Sequence, residues 1–294
     1  MLAPFDLLIP KTLAEAIDIL AEKGDDCKIL AGGTDVLVDM HGKYERHAFL
    51  MDIKQLPELQ EFQFVPGEGI TIGALTTHHF LDRSSVIRSY YPALYEGASQ
   101  VGSVQIRQRG TIGGNICNAV PSGDTLSPLL VLDAKVVLAG KNGQRETPLE
   151  EFFIGPKKTA LAPGELLIKI LLPDPGQSKS AYIKFTRRGA MDLALLGASA
   201  AIGLDRDGVC NHVRIGLTTS APVPMRAKRA EAVLLGSKPT QDLILQAGLV
   251  ASEEAKPRTS WRCTESYRRD ALKEIVPRVI QIALDRAEKG VCFN

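Results

Sequence analysis

Two glycine pairs hold the residues of this chain best suited to chemistry. The first lies in Lys28-Ile29-Leu30-Ala31-Gly32-Gly33-Thr34-Asp35, the second in Thr111-Ile112-Gly113-Gly114-Asn115. Glycine lets the backbone take positive φ and come close to a ligand. Successive free N–H groups in such a turn form a concavity that binds anions. Two such segments, from separate parts of one domain, can wrap one diphosphate without a lysine. Taken singly, either pair reads as a tight turn. Together they read as a diphosphate cradle, because Thr34, Asp35, Thr111, Asn115 and Asn118 add hydrogen-bonding capacity beside the glycines. Other nucleotide and nucleophile signatures are missing: the sequence has no G-x-G-x-x-G after a strand, no G-x-x-x-x-G-K-[ST] and no G-x-S-x-G.

The remaining reactive side chains carry less. His78-His79 begins a helical stretch and reads as structural. Arg107 and Arg109 flank the second segment as surface charges or as a positive rim. Asp124, before an apolar run, fits a helix N-cap. Trp261, between Arg258 and Arg262, reads as a packing or subunit contact. The five cysteines, at 27, 117, 210, 263 and 292, form no CxxC pair, which points to reduced, buried thiols rather than a zinc or iron–sulfur site. Lys plus Arg is 35 against 34 for Asp plus Glu, a balance that excludes a nucleic-acid footprint. No segment is apolar enough for a membrane span and the N-terminus lacks a basic leader, so a cytoplasmic protein is expected.

The elements that must position these residues are legible in outline. Residues 11–23 predict a helix capped by Thr12, with Glu15 three residues on and Gly24 as its stop. Strands are predicted at 28–30, 49–53, 70–75 and 134–139, and over Ile170–Pro173. Residues 77–100 read as helical with a turn at Tyr91-Pro92, and 126–132 as an apolar run. Asp174-Pro175-Gly176 marks a domain boundary. Beyond it, strands are expected at 181–186, 196–204 and 209–217, then helices at 226–235, 240–255 and 265–289, which makes an α+β C-terminal domain.

With those segments in view, the chain resembles the FAD-binding subunits of the xanthine dehydrogenase and carbon monoxide dehydrogenase (molybdenum hydroxylase) family. KILAGGTDVLVDM, 28–40, is similar to the family's first FAD loop, and QIRQRGTIGGNICNAVPSGD, 105–124, to its second. GELLIKILLP, 164–173, resembles the strand that closes the FAD domain, and YIKFTRRGAMDLALLGASAAI, 182–202, the start of the C-terminal domain. PRTSWRCTESYRR, 257–269, is especially similar to bacterial xanthine dehydrogenase FAD subunits.

The resemblance implies an α+β fold. A two-subdomain FAD-binding domain of the vanillyl-alcohol-oxidase-like type would span 1–173, with subdomains about 1–56 and 57–173, and a C-terminal flavoprotein domain would span 174–294 and cover the flavin. It implies FAD lined by Lys28 through Asp35, with the amides of Gly32, Gly33 and Thr34 on the diphosphate, and by Thr111 through Asn115. Asn118 and Asp124 would bond nearby oxygens, Leu167 would pack on the cofactor, Lys184 would reach it from the C-terminal domain, and Leu193 would lie near the flavin ring. A large molybdenum-binding subunit with molybdopterin and a small [2Fe–2S] subunit would be partners. Electrons would pass through FAD to NAD⁺ or another acceptor. The implied substrate of the complex is a purine, xanthine or hypoxanthine. Rival readings are the flavoprotein subunit of another molybdenum hydroxylase (carbon monoxide, nicotinate or an aromatic substrate), a free-standing FAD oxidoreductase and a nucleotide-binding module without redox turnover.

Overall fold

In the computed structural model, which describes residues 3–42 and 46–289, the chain begins with a small parallel unit. Strand β1 (Asp6–Leu8) leads into helix α1 (Leu13–Lys23), then β2 (Cys27–Leu30), α2 (Val36–His41) and β3 (Phe49–Asp52). The strand order is β1-β3-β2, both pairs parallel. Parallel neighbours need a crossover; α2 provides it between β2 and β3, while α1 carries the chain from β1 past the place of β3 to β2. The Thr12 hydroxyl accepts the Glu15 amide at 3.2 Å, the Glu15 carboxylate accepts the Lys11 amide at 2.6 Å, and Gly24 ends the helix at φ 53°.

A five-stranded antiparallel sheet follows. It is made of β4 (Phe62–Val65) and β5 (Gly69–Gly73), then, after a helical excursion, β6 (Lys135–Gly140), β7 (Gly143–Pro148) and β10 (Leu166–Pro173), in the order β4-β5-β10-β6-β7. The excursion comprises α3 (His78–Arg83), α4 (Ser85–Tyr90), α5 (Pro92–Ser99), α6 (Val104–Arg109), α7 (Ile112–Asn118) and α8 (Leu126–Val131). The stretch 77–100 is thus three helices rather than one with a turn, broken at Ser84 and Tyr91. Between β7 and β10 lie α9 (Leu149–Phe152) and the hairpin of β8 (Phe153–Gly155) and β9 (Lys158–Thr159). The sheet is a central layer with a core on each face. Val136 and Leu138 of β6 join the helical core with Leu94, Ile116 and Leu129, while Val137 and Ala139 face the core built on Ala16, Leu20 and Met51. A bulge between Leu167 and Lys169 reverses the alternation of β10, so Leu167, Ile170 and Leu172 all reach the helical side.

The C-terminal unit is a sheet of β11 (Lys179–Phe185), β12 (Leu196–Leu204), β13 (Cys210–Thr218) and β14 (Met225–Arg226), antiparallel in that order, with α10 (Lys228–Leu234), α11 (Gln241–Glu254) and α12 (Glu265–Lys289) following it. Ala198, Ala200, Ile202, Ile215 and Leu217 pack against Leu272, Val276 and Ile280 in one core. Elsewhere the sheet meets α8, where the hydroxyls of Ser127, Ser199 and Thr218 form a buried trio at 2.6–2.7 Å. Pro277 lies inside α12 and Gly248 of α11 packs on it, since a Cβ there would come within 2.6 Å of the ring. The fold is α+β, strands then helices in this half. Cys292 lies outside the described residues.

Candidate cofactor site

A cleft of about 760 Å³ runs between the β2–α2 turn, the start of α7, the start of β10 and the segment Met191–Leu193. It gathers Lys28, Ile29, Ala31, Gly32, Gly33, Thr34, Asp35, Thr111, Gly113, Gly114, Asn115, Asn118, Asp124, Leu167 and Leu193 from across the sequence. Leu30, Ile112 and Lys184, also read from the sequence as cofactor residues, do not line it. Ile112 is fully buried in the helical core, and the Leu30 side chain packs under Gly33.

The two glycine segments touch each other and play different parts. A Cβ on Gly32 would fall on the Arg109 carbonyl oxygen, so only glycine lets the first segment lie against the backbone leading into the second. Gly33 sits at φ 75°, which turns the chain from β2 into α2. Among the described residues, no protein acceptor takes the amides of Gly32, Gly33, Thr34 or Asp35. The second segment is the first turn of α7 rather than a loop with free donors. Its amides are spent within the protein: Ile112 donates to Thr76 O at 2.9 Å, Gly113 to Ala74 O at 2.9 Å, Gly114 to the Thr111 hydroxyl at 3.1 Å and Asn115 to Thr111 O at 3.0 Å. A Cβ on Gly113 would strike Ala74, but one on Gly114 would meet only the Thr111 hydroxyl, its own helix cap. One segment therefore presents anion-binding amides, and the other presents a wall whose Gly114 face lies open to a ligand.

Two acidic groups complete the polar lining. Desolvation, with Asp39 nearby, holds Asp35 above the usual carboxylate range against the pull of Lys157 and a hydrogen bond from Asn118. Asp124 is buried and caps no helix; its two oxygens accept the Tyr182 hydroxyl at 3.0 Å and the Lys184 ammonium at 2.8 Å. Burial pushes its carboxyl up to about 6 despite both partners.

Known proteins match this arrangement along its whole length. A profile described as the FAD binding domain in molybdopterin dehydrogenase covers residues 3–175, and one described as the CO dehydrogenase flavoprotein C-terminal domain covers 180–283. The chain belongs to the molybdopterin dehydrogenase flavoprotein family. It is 33% identical to the xanthine dehydrogenase FAD-binding subunit of Escherichia coli O157:H7, over 94% of each chain. It is 32% identical to the nicotinate dehydrogenase FAD-subunit of Eubacterium barkeri, over 97% of this chain and 98% of that one. Among solved structures it superposes with a TM-score of 0.93 on a chain of the carbon monoxide dehydrogenase of Hydrogenophaga pseudoflava, at 32% identity, covering 97% of this chain and 99% of that one.

The lining of the flavoprotein cleft suits FAD: free amides for a diphosphate, a glycine face for close approach, and apolar Leu167, Leu166, Met191 and Leu193 for a ring system. Lys184 departs from its sequence reading. Its ammonium is given to Asp124 and to the Gln100 carbonyl at 2.9 Å, its side chain is buried, and it stands behind the lining. Arg107 is likewise no surface charge, being mostly buried with its guanidinium on Val101 O at 3.2 Å. Trp261 is 76% exposed, with the guanidinium groups of Arg187 and Arg262 4.9 and 4.6 Å from its ring centre. The sequence reading missed His78 and the Met191–Asp192 pair as cleft residues. His78 carries no motif, and Met191 reaches the site only because the 186–194 connection folds across it.

Proposed function

We propose that this chain carries FAD as the electron-transfer subunit of a heteromeric molybdenum hydroxylase. In that assembly it takes electrons from iron–sulfur clusters on a small partner subunit and hands them to NAD⁺ or another acceptor. A large partner subunit holds molybdopterin and the substrate. The observation that carries the reading is the run of amides at Gly32–Asp35, which no described residue accepts, lining one cleft with the open side of Gly114. Bound FAD supplies the switch between two-electron and one-electron transfer. The chain's own residues bind and orient it: the Gly32–Thr34 amides hold the diphosphate, Asn118 and Asp124 take nearby hydroxyl or amide donors, and the 191–193 segment shields one end from water. No side chain has to act as nucleophile or base.

The substrate we favour is a purine such as xanthine or hypoxanthine, because the 257–269 segment and the Escherichia coli relative both point that way. The nicotinate dehydrogenase subunit is almost as similar, so an N-heteroaromatic acid is the second reading. A tagged chain purified from its own cells should bring down a large and a small partner, with molybdenum and iron in the eluate and one FAD per copy of this chain. The eluate should then oxidise xanthine. Turnover of nicotinate but not xanthine would select the second reading, and recovery of the tagged chain alone, active without metals, would overturn the subunit reading.

A further inference from the structure

His78 is the first residue of α3, and its amide donates to Gly110 O at 3.0 Å, just ahead of α7. The side chain is 2% exposed, yet it lines the cleft. Its Nδ1 is buried with no hydrogen-bond partner among the described residues. A buried ring with an unbonded nitrogen is costly, so an imidazole lining a ligand cleft points to a partner in that ligand.

Its place in the cleft is fixed by Gly110. A Cβ on that glycine would sit 3.3 Å from Cδ2 of His78 and 3.6 Å from the Thr34 hydroxyl. The edge of the imidazole and the Thr34 side chain of the first glycine segment thus both border Gly110. Arg107 bounds it too: this side chain has donors only, its Nε is also buried and unbonded, and it leans on Asp82 at 3.8 Å. Burial and that neighbouring cation lower the imidazole to about 4, so it is neutral in ordinary buffers. With Nδ1 closed off from the cleft, Nε2 is the nitrogen left to meet a ligand, and a neutral ring can carry its proton there.

We infer that His78 is a further ligand of the cofactor, its Nε2–H donating to a diphosphate oxygen of FAD alongside the Gly32–Thr34 amides. This rests on the reading of the chain as an FAD carrier. A hydrogen bond to a charged acceptor in such a site changes affinity by roughly tenfold or more.

Calorimetric titration of the flavin-free full-length chain with FAD, ADP and adenosine tests it. His78→Phe keeps a planar ring and removes the donor, and His78→Gln keeps a donor. The Phe variant should bind FAD and ADP roughly tenfold more weakly or worse, with adenosine unchanged, and the Gln variant should recover part of the loss. Equal FAD and ADP affinity in the Phe variant would overturn the assignment, and so would an equal loss for adenosine, which has no phosphate. Should the Phe variant not fold, nitrogen NMR of the wild-type chain decides, since ADP must shift the His78 Nε2 resonance and a static resonance overturns the contact. A wild-type chain that binds neither FAD nor ADP would instead remove the flavin reading on which the contact depends.

Discussion

Glycines 113 and 114 are neighbours with opposite duties, and side chains added to them separate binding from folding. At Gly114 the new atoms meet only the Thr111 hydroxyl and otherwise enter the cleft. Gly114→Val should therefore weaken FAD binding by roughly tenfold or more, and through its contact with the Thr111 cap it should lower the stability of the flavin-free chain by no more than the loss of one cap, about 0.5–2 kcal/mol. At Gly113 the added methyl would strike Ala74 backbone at 2.7 Å. Gly113→Ala should cost about 1–3 kcal/mol of stability before any cofactor is added, read by denaturant unfolding. Titration adds a second check at this scale. His78 has a folded-state value near 4 against 6.5 for the free side chain, because burial and Arg107 disfavour its cation. Its contribution to stability is complete above pH 6.5 and is lost as the pH falls from there to about 4, a loss of about 3 kcal/mol. The stability of wild type relative to His78→Phe should fall over that window, and a flat difference would show that the ring is not desolvated. Asp124 slopes the other way: its raised value makes its contribution largest below about 4 and removes it as the pH rises through about 6. The glycine pairs were legible in the sequence because backbone approach demands a residue type. Lys184, His78 and the spent amides of α7 were not, because their roles are set by what the fold puts beside them: Asp124 for Lys184, Gly110 and Arg107 for His78, Ala74 and Thr76 for the amides.

At the scale of elements, the readable parts were those with a strong local signal. Helix α1 keeps its predicted Thr12 cap and Gly24 stop, β12 and β13 join through Asp205–Gly208 as a hairpin, and α12 runs through Pro277 as its pattern suggested. Strand β7, GQRETP, escaped notice because it is an exposed polar edge whose only buried residue is Thr147, so no alternation marks it. Strands β1, β8 and β9 are two or three residues long and exist by pairing rather than by propensity. Segment 110–115 looked like a loop since glycine is a poor helix former, and α7 starts there only because Thr111 caps it and β5 supplies acceptors just beyond its end. Pro277 within α12 shows a similar fit between elements: Gly248 of α11 fills the space beside the ring and approaches the Lys273 carbonyl, which the proline leaves without its helical donor. Gly248→Ala should push the two helices apart and cost about 1–3 kcal/mol, while FAD affinity should not change, because the contact belongs to the C-terminal core. A tenfold loss of FAD affinity in this variant would show instead that α11–α12 packing controls the cleft.

For the whole molecule, the two halves share the cleft and are held together by part-buried polar contacts as well as apolar ones. Arg286 of α12 reaches Glu96 of α5 and the Ser180 carbonyl, Glu96 also accepts the Tyr182 amide at 2.7 Å, and Arg214 and Arg226 converge on Asp133. The Asp124–Tyr182–Lys184 cluster ties the cleft wall to β11, so the C-terminal half is anchored at the cleft. What the chain offers beyond flavin binding is limited by its side chains. Cys117 is held protonated by burial, its thiol pushed up to about 12, and Cys210 likewise to about 11. Among the described residues, no group of three or more histidine, cysteine or acidic side chains is placed to hold a metal ion. A thiol must lose its proton to ligate a cluster, so these cysteines are poorly suited to the task. On the proposed reading, the chain performs only the flavin half of a hydroxylase cycle. Reconstituted alone with FAD and mixed anaerobically with xanthine or hypoxanthine, it should keep its flavin absorbance for hours, while dithionite bleaches it at once and an artificial acceptor restores it. Adding the molybdenum and iron–sulfur partners should make the same purine bleach the same flavin. Bleaching by purine with no partner present would mean that substrate meets the flavin directly in this cleft, and the chain would then be a free-standing oxidoreductase.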